Sequence, residues 1–414
     1  MQAVRAWVLR RLWPEGMRAF RHRDFRLLWF GAFLSFSGSW IQTTAQGWLV
    51  YEMTKSETML GLVVFCNQIP VSFLGPFMGT LADTLNKRFV LVACQLTFSM
   101  GSLFLAAAIY WDFIRYEHIL AVATIGGLAG AIEMPTRQSI VSKVVPPEDI
   151  ASAVPLNALT FNLARVFGPA LGMYVYAQLG PQLCYLINGL SFFFLISAVL
   201  ALKADLRAVH REVQPIIDLV MEGVLYTWRD PRLRTLFLLE GAVSAFGLFY
   251  LALMPAIGVE ILGLTKEGFG MAMTAVGVGT ICSLLLVANL SHRPIKGTIV
   301  RLSMTVFGVA LALLGFATSP WIAFPLLATV GFCAVAQFNT TNTLFQLLSP
   351  ERLRGRVLAM HVWALSGLGP LGTLLFAWLA NVTDIHIALQ VGGGLVVLAA
   401  IWGWMQRQAL ENVG

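Results

Sequence analysis

The amino-acid sequence predicts an all-α membrane protein of 12 transmembrane helices arranged as two pseudo-symmetric six-helix bundles. Three observations carry this. Of the 414 residues, 57% are hydrophobic and only 12% charged, whereas charged residues alone make up about 25% of a soluble globule. The apolar residues fall into runs that meet the roughly 20 residues a helix needs to cross the hydrocarbon. Landmarks of the first half also recur, in order, in the second.

The elements follow in chain order. Residues 1–24 form a basic segment in which Arg5, Arg10, Arg11, Arg18, Arg21 and Arg23 alternate with Trp7, Leu9, Leu12 and Trp13. That pattern suits a short helix on an anionic inner leaflet, and with no short apolar core ending in a small-residue cleavage site, no cleaved leader is expected. The first bundle, 25–202, takes spans 1 to 6 at 26–50, 58–82, 89–110, 119–142, 152–177 and 182–202. Spans 2 and 3, "LGLVVFCNQIPVSFLGPFM" and "VLVACQLTFSMGSLFLAAAIY", flank the charged stretch "GTLADTLNKRF". A polar linker, 203–233, follows; its apolar positions Ile216, Ile217, Val220, Val224 and Trp228 have the spacing of an amphipathic helix on the membrane surface. The second bundle, 234–405, takes spans 7 to 12 at 234–259, 268–290, 298–317, 321–346, 356–381 and 385–405, ahead of a tail at 406–414.

Lysine and arginine set the orientation. Lys55, Arg115 and Lys266 lie in the loops after spans 1, 3 and 7, Arg137 and Arg165 lie inside spans, and the others gather on the opposite face. That face is cytoplasmic by the positive-inside rule, and both termini with it. The net charge of +7 therefore reflects topology, and no nucleic-acid partner is expected. Cys66, Cys94, Cys184, Cys282 and Cys333 all fall inside apolar runs with no C-x-x-C spacing; they are expected to be buried small hydrophobes, and no metal site is expected. The chain has no G-x-x-x-x-G-K-[ST], no H-E-x-x-H and no G-x-S-x-G, so nothing points to ATP hydrolysis, intramembrane catalysis or a cofactor.

The repeat is specific. "RDFRLLW" at 23 returns as "RDPRLRT" at 229, "PEDIASAV" at 147 as "PERLRGRV" at 350, and "GPALG" at 168 as "GPLG" at 369. Two halves related by an axis along the membrane normal can rock about a central site. That is the architecture of a secondary transporter with a small-molecule substrate.

The stretch joining spans 2 and 3 resembles the signature loop of the major facilitator superfamily, with Gly79, Asp83, Lys87 and Arg88 matching and Thr84 and Asn86 departing from it. The resemblance implies the major facilitator fold and a cytoplasmic gate in which Asp83 faces the start of span 11, "ERLRGRVLAM", with its amides and Arg356 as partners. The second copy, "LLVANLSHRPIKG", carries Asn289 in place of the aspartate, so only the first copy is expected to gate. Over nearly the whole chain, "FLSFSGSWIQTTAQGWLVYEMTKSETMLGLVVFCNQIP", "EMPTRQSIVSKVVPPEDIASAVPLNALTFNLARVFGPALG", "LLSPERLRGRVLAM" and "GLGPLG" resemble the branch that contains the enterobactin exporter and macrolide-efflux-type proteins. "ARVFGPALG" is similar to the antiporter motif: Ala164, Gly168, Pro169 and Gly172 match, and Met173 replaces the last glycine. The resemblance implies a monomeric, proton-gradient-driven exporter of an amphipathic siderophore or drug in a bacterial inner membrane. An importer or facilitator of the same fold is the alternative, and a membrane receptor or enzyme without transport a further one.

Ionisable groups inside a membrane are costly and mark function. Glu133 and Arg137, four apart on span 4, can pair; Arg165 on span 5 could reach the same carboxylate, making a proton switch or a static ion pair. Glu240 near the start of span 7 is more isolated. Polar residues that could line a path are Gln42 and Gln46, Asn67 and Gln68, Asn157 and Asn162, and Gln337, Asn339, Asn342 and Gln346. Trp40, Phe161, Phe246, Phe249 and Trp363 could stack on a solute.

Overall fold

The computed structural model describes residues 15–207, 216–290 and 295–407; most of the basic N-terminal segment lies outside these. Among the described residues every regular element is helical. Spans 1 to 6 are α1 Arg23–Thr54, α2 Glu57–Thr84, α3 Lys87–Tyr110, α4 Tyr116–Val141, α5 Ile150–Leu179 and α6 Pro181–Ala201. The linker helix is α7, Ile216–Arg229. Then follow α8 Pro231–Phe246, α9 Tyr250–Ala256, α10 Lys266–Leu290, α11 Lys296–Leu314, α12 Pro320–Leu348, α13 Arg354–Gly367, α14 Gly369–Val382 and α15 Ile385–Met405. Among the described residues, 11 segments are long and apolar enough to cross a membrane. The remaining span is α1, 32 residues long, whose serines, threonines and glutamines dilute its hydropathy.

Spans 7 and 11, expected as single helices, are each two. In span 11 the break at Leu368 sits between Gly367 and Pro370; a proline lacks an N–H and disfavours helix in the residue before it, but is tolerated in a first turn. In span 7 the Gly247 and Leu248 amides both bond to the Val243 carbonyl, so the ladder widens and α8 stops. Beyond α9, a π-helical turn at Ile257–Ile261 follows Pro255, which cannot donate to the preceding turn. Gly180, with φ +86°, turns the chain from α5 into α6 with a backbone that side chains rarely adopt.

The two aspartates of the recurring "RD" anchor backbone amides in different ways. Asp230 accepts from the Arg232 amide and caps α8, while Asp24 accepts from the amides of Lys203 and Ala204 at 2.7 and 2.9 Å, tying the end of α6 to α1. Asn86, where the signature loop has a glycine, caps α3 by accepting from the Arg88 amide. Each cap contributes about 1 kcal/mol.

Two compact units are formed: residues 1–45 with 77–212, and residues 46–76 with 213–414. Lipid tails are as apolar as leucine, so close packing rather than water exclusion joins helices within each. In the first unit a β-carbon on Gly168 would overlap Trp40, and one on Gly172 would stand 2.9 Å from the Ile41 backbone. In the second, Gly369 faces Ser244 at 3.0 Å and Gly372 abuts the Ala245 backbone. The repeated Gly-Pro motif thus seats spans 5 and 11 on matching positions of spans 1 and 7, and the duplication read from sequence reappears as a duplicated contact. Gly279 with Gly331 brings α10 against α12, and Gly308 with Gly393 brings α11 against α15, each glycine abutting the partner helix's backbone.

Candidate functional site

Within the first unit, Arg137 Nε donates to Glu133 Oε1 at 2.9 Å, with both side chains 11% exposed. Gln95 Nε2 approaches the same oxygen at 3.5 Å, and Gln95 Oε1 in turn accepts from Ser35 Oγ at 3.5 Å. The pair therefore ties α4 to α3 and α1. The Arg137 guanidinium lies over the Phe36 ring at 4.5 Å, and Arg165 over Trp40 at 6.0 Å. Phe161 meets Phe36 and Trp40 edge-on at 5.6 and 5.8 Å. Spans 1, 4 and 5 thus present two guanidinium groups and three aromatic faces, with one carboxylate held beneath. Cations on ring faces gain more as water is excluded, and such a surface suits a solute with both flat apolar and polar parts.

Glu240 is not isolated. It is 2% exposed, and its Oε2 lies 2.6 Å from Nδ1 of His361, which is 1% exposed. The partner comes from α13, 121 positions away, which no local pattern could show; a histidine more than a turn inside an apolar run was the available signal. The imidazole packs between Phe338 and Phe345 of α12, at 5.1 and 5.4 Å. Glu240 Oε1 and His361 Nε2 are buried with no hydrogen-bond partner among the described residues, as are the Gln337 amide and the Thr340 and Thr341 hydroxyls.

Other expected path residues are placed as follows. Gln42 Oε1 accepts from Asn188 Nδ2 at 2.7 Å, inside a polar cluster with Ser102, and Asn162 Nδ2 donates back to the Ala158 carbonyl. Asn342 bonds to Gln346, and the Asn339 carbonyl accepts from Thr343. Gln46, Asn157 and Asn339 are half-buried, while Asn67 and Gln68 are exposed. Trp363 stacks on Phe237 at 6.0 Å, and Phe246 and Phe249 pack on Phe376.

At the signature loop, α2 continues through Thr84, so Gly79 and Asp83 stand on its last turns; their side chains lie outside the described residues. Lys87 is buried with its amide bonded to the Leu206 carbonyl, and Arg88 donates to the carbonyls of Leu202 and Ala204. The loop is thereby anchored to the linker. Arg356 pairs with Glu222 of α7, as does Arg352 at 2.9 Å.

At the opposite ends of the helices the second unit contains contacts that sequence reasoning missed. Tyr51 donates to Glu260, Lys266 pairs with Glu52 at 3.0 Å, and Ser56 bonds to Asn381 at 2.6 Å. Trp48 packs on Phe269 at 5.1 Å and Gly47 on Pro255. The ends of α1 and α2 are thus fastened to α10, α14 and the turn after α9. Arg301, counted from the sequence only among the charges that set the orientation, is 1% exposed, donates to Gly297 and Thr298, and lies over Trp404 at 4.7 Å.

Residues 15–412 match the family described as transmembrane secretion effector. The chain is 26% identical over 372 residues to the staphyloferrin A transporter of Staphylococcus aureus, covering 87% of this chain and 91% of that one. It is 24% identical over 373 residues to the multidrug efflux pump Tap of Mycolicibacterium fortuitum, with 87% and 90% covered. The crystal structure of the nucleoside transporter NupG superposes with a TM-score of 0.71 at 14% identity, over 93% of this chain and 99% of that one.

Proposed function

The chain belongs to the transmembrane secretion effector family of the major facilitator superfamily, and from that premise we propose that it is a proton-coupled exporter of a small amphipathic solute, of siderophore or drug type. The observation that carries the reading is the face formed by Phe36, Trp40, Phe161, Arg137 and Arg165 above the buried Glu133. Flat rings take the apolar part of a solute, guanidinium groups its polar part, and a charge pair beneath keeps the site electrostatically defined without exposing a bare carboxylate. The names of the two relatives, a siderophore transporter and a multidrug pump, support the same solute class.

Export by alternating access requires each end to open in turn. On this reading both termini and the Gly79–Asp83–Lys87–Arg88 loop are cytoplasmic, Asp83 holds the cytoplasmic gate, and the chain works as a monomer in a bacterial inner membrane. The Tyr51–Glu260, Glu52–Lys266 and Ser56–Asn381 bonds are then the outer fastenings that opening must break. Glu133 and Glu240 are intramembrane carboxylates through which a proton gradient would act.

The experiment is uptake into inverted membrane vesicles, with staphyloferrin A and ethidium as probes. Accumulation on acidifying the vesicle interior, abolished by collapsing the gradient, is expected. Loss of probe from the lumen on the same treatment would make the protein an importer, and flux indifferent to the gradient a facilitator.

A further inference from the structure

We infer that the Glu240–His361 pair is the proton-binding site of this transporter, holding one proton while α8 and α13 are packed together and releasing it when they part. The inference rests on the proton-coupled reading above and assigns its proton to two residues.

Three facts about the pair lead there. First, it is enclosed: Glu240 is 2% and His361 1% exposed, at 2.6 Å. In such surroundings a carboxylate beside a neutral imidazole leaves one uncompensated negative charge, which a low-dielectric interior strongly disfavours. One more proton, whether on the carboxyl or the imidazole, makes the pair neutral overall. Second, the partner is of the right kind. The guanidinium beside Glu133 is a permanent cation, so the Glu133–Arg137 pair is already balanced in charge, whereas the group beside Glu240 is an imidazole, a side chain that in general gains and loses a proton near neutral pH. Third, the pair still has bonding capacity. Glu240 Oε1 and His361 Nε2 have no partner among the described residues. Phe338 and Phe345 both touch the imidazole, and Thr341 occupies the same helical stripe between them at i+3 and i−4. Its hydroxyl, and the amide of Gln337 one turn earlier, are also buried and unpartnered. A polar pocket of this composition can take and pass a proton.

The charged and titratable groups on the neighbouring helices are engaged elsewhere or stand away from the pair. Glu222 of α7 binds Arg352 and Arg356, and Arg232 binds Asp230. Arg229, Arg234 and Arg354 are exposed, Tyr226 is half-buried, and His386 of α15 bonds to the Gly315 carbonyl. On α12 the titratable group is Cys333, which is buried, and α14 carries none.

The location couples the proton to movement. Glu240 and His361 lie one to two turns before the interruptions at Gly247 and Leu368, where spans 7 and 11 are free to bend. Ser244 Oγ donates to the Leu365 carbonyl beside them. Separation of the two helices would admit water to the pair, remove the penalty on its charged form and free the proton; loading and packing are then one event.

The test needs only the proton as ligand. Ser244 is buried at 0% exposure, so a cysteine there (S244C), in a full-length chain whose native cysteines are replaced by alanine or serine, reacts with a maleimide only when α8 and α13 part. With the pair intact, the labelling rate in lipid nanodiscs, divided at each pH by that of a fully exposed cysteine to cancel ionisation of the thiol itself, should rise with pH by up to about tenfold per unit, the limit for one linked proton. In the E240Q/H361N background, which keeps an amide hydrogen bond but cannot titrate, it should be flat. A flat rate with the native pair overturns the inference without any pair variant; an equal pH dependence in the folded double variant overturns it too. The parent reading is tested separately: labelling that follows pH through the pair while vesicle uptake of both probes ignores the gradient would retain the site and refute coupled export.

Discussion

Replacing Glu133 by glutamine removes a charge while keeping its shape, so the cost can be worked from the bonds present. Arg137 Nε sits 2.9 Å from Glu133 Oε1, and both side chains are 11% exposed. A hydrogen bond to a charged group contributes about 1.5–3 kcal/mol and a neutral one about 0.5–1.5 kcal/mol. The amide oxygen still accepts from the charged guanidinium, so a charge-assisted bond remains and the bond itself loses at most about 1 kcal/mol. Arg137 also loses its counter-charge, and deleting one partner of a buried pair outright costs about 3–5 kcal/mol. Part of that is retained, because Phe36 still faces the guanidinium at 4.5 Å, worth about 0.5–2 kcal/mol. Glu133→Gln should therefore cost about 2–3 kcal/mol and Glu133→Ala about 3–5 kcal/mol. Thermal unfolding of purified protein, followed by loss of the monodisperse chromatographic peak, ranks the three forms. The fraction of Glu133→Gln that remains folded should still export against a gradient, since the proton is assigned to Glu240–His361. A variant as stable as the parent would refute the packing estimate, and a stable variant that exchanges solute but no longer responds to the gradient would move the proton site from Glu240–His361 to Glu133.

The duplicated packing predicts parallel defects: Gly172→Leu and Gly372→Leu should each abolish recovery of folded protein, whereas leucine at Gly394, whose β-carbon would meet nothing within 4 Å, should be tolerated in the same chromatographic assay. Burial opposes the charge of Asp230, but its bonds from Arg232 and the α8 amides outweigh this and hold its carboxyl below the usual range. Its contribution is therefore present at neutral pH and lost as the pH falls through that depressed value; Asp230→Ala should cost about 1 kcal/mol at pH 7, with the deficit vanishing in acid, as read by pH-dependent thermal unfolding. A membrane-impermeant maleimide applied to intact spheroplasts should label a cysteine at Lys55 or Arg115 and spare one at Lys203; labelling of all three would refute the assigned orientation.

Much of the first-unit site was legible because its key relation is local. Glu133 and Arg137 are one helical turn apart, so a single apolar run revealed both the helix and the ion pair. The seat of Gly168 and Gly172 could be anticipated in kind, as a close helix approach, but its position against Trp40 and Ile41 could not. Glu240 shows the reverse. Its partner lies 121 residues away, and nothing in the neighbourhood of either residue encodes the pairing. The burial of Arg301 was not legible for a related reason: the Trp404 that covers it comes from another helix.

What the sequence determined by itself follows from short-range physics. Apolar run length set the number of spans, because the bilayer thickness does not vary with the partner a helix meets; the repeat of loop charges and Gly-Pro motifs set the two-fold plan, because duplicated segments fold alike. Only the tertiary structure decided where helices are interrupted, which buried polar atoms found partners, and that the carboxylate of span 7 meets the imidazole of span 11. Those outcomes depend on side chains brought together by packing between distant segments, where a displacement of one turn exchanges a hydrogen bond for a lipid contact and no periodicity along the chain records the difference.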